Sequence, residues 1–128
     1  MEHHIWHNIQ VDTTCIEVKG EFRPEDVAPT FEVLDKNFVG KDYYRLLIDL
    51  SASNGRLSKE SREALQDHLK AKLNSRIAFV ITRPTSRMLA KVVVAVSGGS
   101  ADKGFFRSQD EAWEWLKGAQ SDELQSKL

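Results

Sequence analysis

The stretch Tyr43-Tyr44-Arg45-Leu46-Leu47-Ile48-Asp49-Leu50 decides the fold class. Its apolar centre is continuous rather than alternating, which predicts a strand covered on both faces, as in a parallel sheet flanked by helices. Gly40-Lys41-Asp42 breaks the chain before it, and the polar loop Ser51-Ala52-Ser53-Asn54-Gly55-Arg56 follows it. Ser58, a favoured N-cap residue, then opens a predicted helix in which Leu65, Leu69 and Leu73 recur every four residues, with Ala64 and Ala71 beside them. Arg76-Ile77-Ala78-Phe79-Val80-Ile81 reads as a second strand of the same buried kind.

The pattern extends in both directions from this pair. Upstream, Val27, Phe31, Leu34 and Phe38 share one face of a predicted helix over 26–37. Pro29 is tolerable only in a first turn, so Asp26 is taken as the cap. Before that helix, Ile5 to Val11 and Cys15 to Lys19 form a predicted hairpin across Asp12-Thr13-Thr14, ended by Gly20. Downstream, Pro84 suits a first turn, and Leu89, Val92, Val93 and Val96 fit a helix despite the β-branched run. Ser97-Gly98-Gly99-Ser100 is a turn and 103–107 a short last strand. Ser108 with Glu111 matches a capping box, and Ala112, Trp115 and Leu116 give the final helix its inner face before Gly118 stops it. The order ββαβαβαβα predicts an α/β fold: a mixed, largely parallel central sheet of about five strands with about four helices. Residues 1–118 are expected to form a single domain, and 119–128 a polar C-terminal tail.

Composition narrows the functional classes. Eighteen basic and 19 acidic residues give a net charge of −1, against a dedicated nucleic-acid binder, which carries a basic excess. No apolar run exceeds Val92–Val96, far short of a bilayer span, and Met1-Glu2-His3-His4 does not open a secretory signal. A lone cysteine, Cys15, excludes an internal disulfide. A cytoplasmic setting is expected.

Several segments in this order resemble a known family. They are Tyr44 to Asp49, the serine-rich loop, the helix from Ser58, the strand Arg76 to Val80, and above all Phe106-Arg107-Ser108-Gln109-Asp110-Glu111-Ala112-Trp113-Glu114-Trp115-Leu116. Together they resemble the STAS domains, and within these the SpoIIAA-like branch. The resemblance implies a STAS-like, non-enzymatic fold used for protein–protein switching, with nucleotides or lipid-like ligands held in some branches. In antagonists of anti-sigma factors a serine at the start of the corresponding helix is phosphorylated, within a pattern close to Asp-Ser-Ser-Gly. Ser58 matches that serine by position, but Arg56-Leu57-Ser58-Lys59-Glu60-Ser61 lacks the preceding aspartate and the following glycine.

Each candidate residue has a functional and a structural reading. Ser58 is a phosphate switch at a helix N-terminus or simply its cap. Asp49, Ser51, Ser53, Asn54 and Arg56 sit where a parallel sheet places ligands, past a strand's carboxyl end, or bond their own loop. Arg83, Arg87 and Lys91 form a basic stripe for an anion or an acidic partner, or a solvated outer face. Trp113 is an interface anchor if exposed. His3, His4 and His7 lack spaced ligands to close a metal site and are expected at a mobile terminus. No catalytic set, metal or cofactor is expected. The leading expectation is a regulatory or scaffold domain that binds another protein; the alternative is a carrier of a lipid-like or nucleotide-like anion between the 51–56 loop and the basic helix. Homodimerisation through the opening strand or Trp113 stays open.

Overall fold

The strand at the centre of the sheet runs Tyr44–Ser53 and is hydrogen-bonded to a parallel neighbour on either side. Leu46 and Leu50 are buried on one face and Leu47 on the other, so both faces are covered, as the apolar run predicts. The structure, a computed structural model, describes residues 3–41, 44–69, 75–96 and 102–126. In chain order these form β1 (His4–Asn8), β2 (Thr13–Gly20), α1 (Pro24–Asn37), β3 (Tyr44–Ser53), α2 (Lys59–Leu69), β4 (Ser75–Val80), α3 (Pro84–Val96), β5 (Asp102–Phe106) and α4 (Gln109–Ser126).

The strands lie in sequence order across one sheet, with β1 antiparallel to β2 and every later pair parallel. Each crossover therefore steps the same way, and the right-handed rule sends α1, α2 and α3 to the same face. There they bury Phe31, Leu34, Leu65 and Leu89 against Ile16, Leu46, Ile77 and Phe79. α4 follows the last strand and folds back on the opposite face. It packs Ala112 and Leu116 on Cys15, Leu47, Ala78 and Val80, with Trp6, Phe106, Trp113 and Trp115 around them. Gly104 of β5 lies under these rings: a Cβ there would come within 2.6 Å of the Phe106 ring.

The element order and the inner face of α1 are as read from the sequence; several boundaries are not. β1 ends at Asn8, whose Oδ1 accepts the N–H groups of Gln10 (3.0 Å) and Val11 (3.2 Å). That turn, closed by Asp12 at φ 51°, puts Thr13 and Thr14 in β2 instead of the loop. α1 begins at Pro24 with Arg23 as N-cap, and Asp26, expected as the cap, is the third residue inside the helix. Its carboxylate reaches back to accept the Arg23 N–H at 3.0 Å. Pro29 consequently stands inside the helix. β3 continues through Ser51–Ser53 because, past an irregularity in β2, Lys19 pairs with Ala52 and Gly20 with Ser53. Ser86, Leu89 and Ala90 are buried on α3 and a half-buried Val94 packs on the core beside them; Val92 is half-buried too. α4 runs through Gly118 to Ser126, so the expected stop does not occur. The expected turn 97–100 and Leu73 lie outside the described residues.

Candidate functional site

Ser58 directly precedes α2 and caps it: its Oγ accepts the Ser61 N–H at 3.1 Å. The Ser58 hydroxyl donates to Ser61 Oγ (3.0 Å), and the buried Ser61 hydroxyl donates to the Phe22 carbonyl (3.2 Å). This relay ties the start of α2 to the segment that leads into α1. Ser58 is itself exposed and lies on an open cleft of about 440 Å³ where the amino ends of the two helices meet. Arg23 and Lys59 line that cleft with Glu21, Glu25 and Glu60, two cations against three carboxylates.

The loop candidates are drawn into the protein's own bonding. Asp49 Oδ1 accepts the Ser51 N–H (2.9 Å) and hydroxyl (2.6 Å), and its Oδ2 accepts Gln109 Nε2 of α4 (2.7 Å). Ser53 is fully buried and accepts the Gly55 N–H at 3.0 Å; Asn54 Oδ1 accepts the Arg56 N–H at 2.9 Å. Arg56 is exposed. From the other side, Arg83 donates to the carbonyls of Ser51 (3.0 Å) and Ser53 (2.5 Å). Arg83 thus bridges the 51–53 segment to the start of α3, across the space assigned from sequence to an anionic ligand.

Arg87 and Lys91 are exposed on α3. Arg83 and Arg87 meet a residue that the sequence reading passed over: Arg107, just past β5, lines the same groove. The signal was available, since sequential parallel strands place the carboxyl ends of β4 and β5 side by side. Trp113 is half-buried, its ring 5.5 Å from Trp6 of β1, so its main contact is internal. Trp115 is half-buried too, between Phe106 and the Arg76 guanidinium, which stands 4.0 Å from the ring centre.

The histidines depart most from expectation. His3 is buried and clamps the chain start to α1. The Lys19 backbone N–H can only donate, so Nδ1 of His3 accepts it (3.0 Å), and Nε2 carries the proton to Asp26 Oδ2 (2.8 Å). Burial works to raise the Asp26 pKa, but the Arg23 N–H and His3 outweigh it and hold the carboxyl below the ordinary 3.8. Asp12 is lowered likewise: burial opposes it, while Lys41 and then His7 prevail. His4 meets Glu17 instead. Among the described residues no group of three His, Cys, Asp or Glu side chains could hold a metal ion. Burial pushes the Cys15 thiol up to about 12, with Glu17 and Asp49 adding to it, so it is a poor nucleophile.

A partly open cavity reaches into the main core. It has a volume of about 70 Å³ and an apolar lining that includes Phe22, Phe31, Leu57, Leu65 and Leu89.

Residues 13–117 match the SpoIIAA-like family, most of the chain. The chain belongs to the SpoIIAA-like family. The matched span covers β2 to the first half of α4 of this STAS-type fold, and leaves β1 and the His3 clamp outside it. A search of curated proteins returns no match. Among the described residues of this SpoIIAA-like chain, no helix is long and apolar enough to cross a membrane.

Proposed function

We propose that this SpoIIAA-like domain is a cytoplasmic regulatory module that binds another protein without turnover, through the end of the fold that carries Ser58. One observation supports this reading above the others: Ser58, which matches by position the serine phosphorylated in antagonists of anti-sigma factors, is exposed at a cleft between two helix starts. Phosphorylation would add about −1.5 to −2 to a rim where carboxylates already outnumber cations. The result is a change in surface charge that releases an acidic partner or recruits a basic one. The cap would survive, because phosphate oxygens also accept helix N–H groups. Mass spectrometry of the protein from its own cells, native and denatured, tests this. The expected result is a phosphate mapped to Ser58 and a co-purifying protein whose binding differs between Ser58→Glu and Ser58→Ala. An unmodified chain, with a partner indifferent to both variants, removes the reading.

The core cavity supports a second reading, a carrier of a lipid-like molecule. Its 70 Å³ is about half of the roughly 150 Å³ of an engineered apolar cavity that takes up benzene. It would admit a few carbons unless the helix layer moved. An apolar ligand lost on denaturation in the same experiment would favour this reading.

A further inference from the structure

A second surface lies at the carboxyl ends of β4 and β5, apart from Ser58 and from the core cavity. The groove there has a volume of about 630 Å³, within the range of small-molecule sites. Three arginines line it: Arg83 before α3, Arg87 in its first turn and Arg107 after β5. No carboxylate lines it among the described residues, although the chain as a whole is slightly acidic. Arg83 is held in place by its bonds to the Ser51 and Ser53 carbonyls, so one cation of the three is preorganised. The rest of the lining is chiefly apolar, from Ile81, Pro84, Phe105 and Phe106. Phe105 is 47% exposed, unusual for a ring without a partner molecule, and its inner side is stacked on Phe79 at 5.4 Å.

We propose that this groove is a binding site for a phosphate-bearing molecule with an apolar or aromatic body, the phosphate held by Arg87 and Arg107 beside Arg83 and the body laid along Phe105. Arginine forks match phosphate oxygens two at a time, which explains arginine at all three positions rather than a mixture with lysine. The location is where open sheets with parallel strands take ligands, at the carboxyl ends of the strands. The site is independent of the Ser58 reading and stands or falls separately from it.

The test uses the full chain and three probes: inorganic phosphate, phenyl phosphate, and vesicles with or without phosphatidic acid. Amide resonances and titration calorimetry follow the soluble probes, and co-sedimentation follows the vesicles. Phenyl phosphate is expected to bind more tightly than inorganic phosphate and to shift the amides of Phe105 and Arg107. Arg87→Gln and Arg107→Gln should each weaken it about tenfold. Phe105→Ala should weaken phenyl phosphate while leaving inorganic phosphate unchanged. Arg87 and Arg107 are exposed, so their variants should keep an unaltered thermal transition, whereas Phe105→Ala loses its stack on Phe79 and should melt somewhat lower while staying cooperative, which checks its folding. Arginine-dependent binding confined to phosphatidic acid vesicles would identify the source as a lipid headgroup; binding of soluble phenyl phosphate would identify a free phosphorylated molecule. The proposal is overturned if no probe binds, or if binding is unaffected by the arginine substitutions.

Discussion

Asp26 shows at the scale of one residue how a side chain can be essential without belonging to a functional site. Its carboxylate receives the Arg23 N–H and the His3 Nε2–H, and so joins the start of α1 to the start of the chain. Its folded pKa is depressed, so its stabilising contribution is complete above the ordinary value of 3.8 and disappears as pH falls through the lower folded value. Asp12 acts with the same sign. Asp26→Asn keeps an acceptor for Arg23 but loses the charge, and should cost about 1 kcal/mol at neutral pH. Urea midpoints between pH 6 and pH 3 should fall less steeply for the variant than for the parent. Parallel curves would mean that the contact carries no net charge energy. His3 was not legible as a clamp, because its two partners lie 16 and 23 residues away and nothing local marks them. The Asp49 bond was legible: its carboxylate accepts the Ser51 N–H two residues on, as expected, although the backbone there is strand and not a turn.

At the scale of elements, periodicity placed every helix and strand, and errors gathered at the ends. α1 is instructive. Pro29, tolerable only in a first turn, drew the expected start to Asp26, and the apolar stripe alone does not place it. The choice falls to Arg23 and Asp26, three residues apart, whose reciprocal bonds fix the start at Pro24. Pro29 then removes the N–H that would have met the Glu25 carbonyl one turn back. It is exposed, so no core packing compensates for it. Pro29→Ala should raise stability by about 1–3 kcal/mol, read as a higher urea midpoint with an unchanged slope. A neutral or harmful outcome would show that the helix has relaxed around the ring. The same limit explains β3: Ser51 to Ser53 carry no strand signal, and their extended state comes from pairing with Lys19 and Gly20 across the sheet. Candidate residues in that segment were therefore read as an open loop when their backbone belongs to a ladder.

For the molecule as a whole, sequential strand order makes the two sheet faces unequal. One face has three helices, while the other relies on α4, whose contacts lie over β3, β4 and β5. β1 stands at the far edge, outside the span that matches the family, and reaches α4 through Trp6 against Trp113. Trp6 also donates to Glu17 at 3.3 Å on the neighbouring strand. Two levels of stability should follow: β2, β3 and β4 open only with global unfolding, whereas β1 opens on its own at lower free energy. Trp6→Ala is the change that separates them. A half-buried tryptophan should cost about 2–3 kcal/mol, below the 3–5 kcal/mol typical of fully buried aromatic side chains. Hydrogen exchange should then quicken at the amides pairing His4 with Glu17 and Trp6 with Cys15, while those pairing Leu47 with Ala78 keep their protection relative to global unfolding. If protection fell equally across all five strands, β1 would be part of the cooperative core, and the family-matched span could not stand without it.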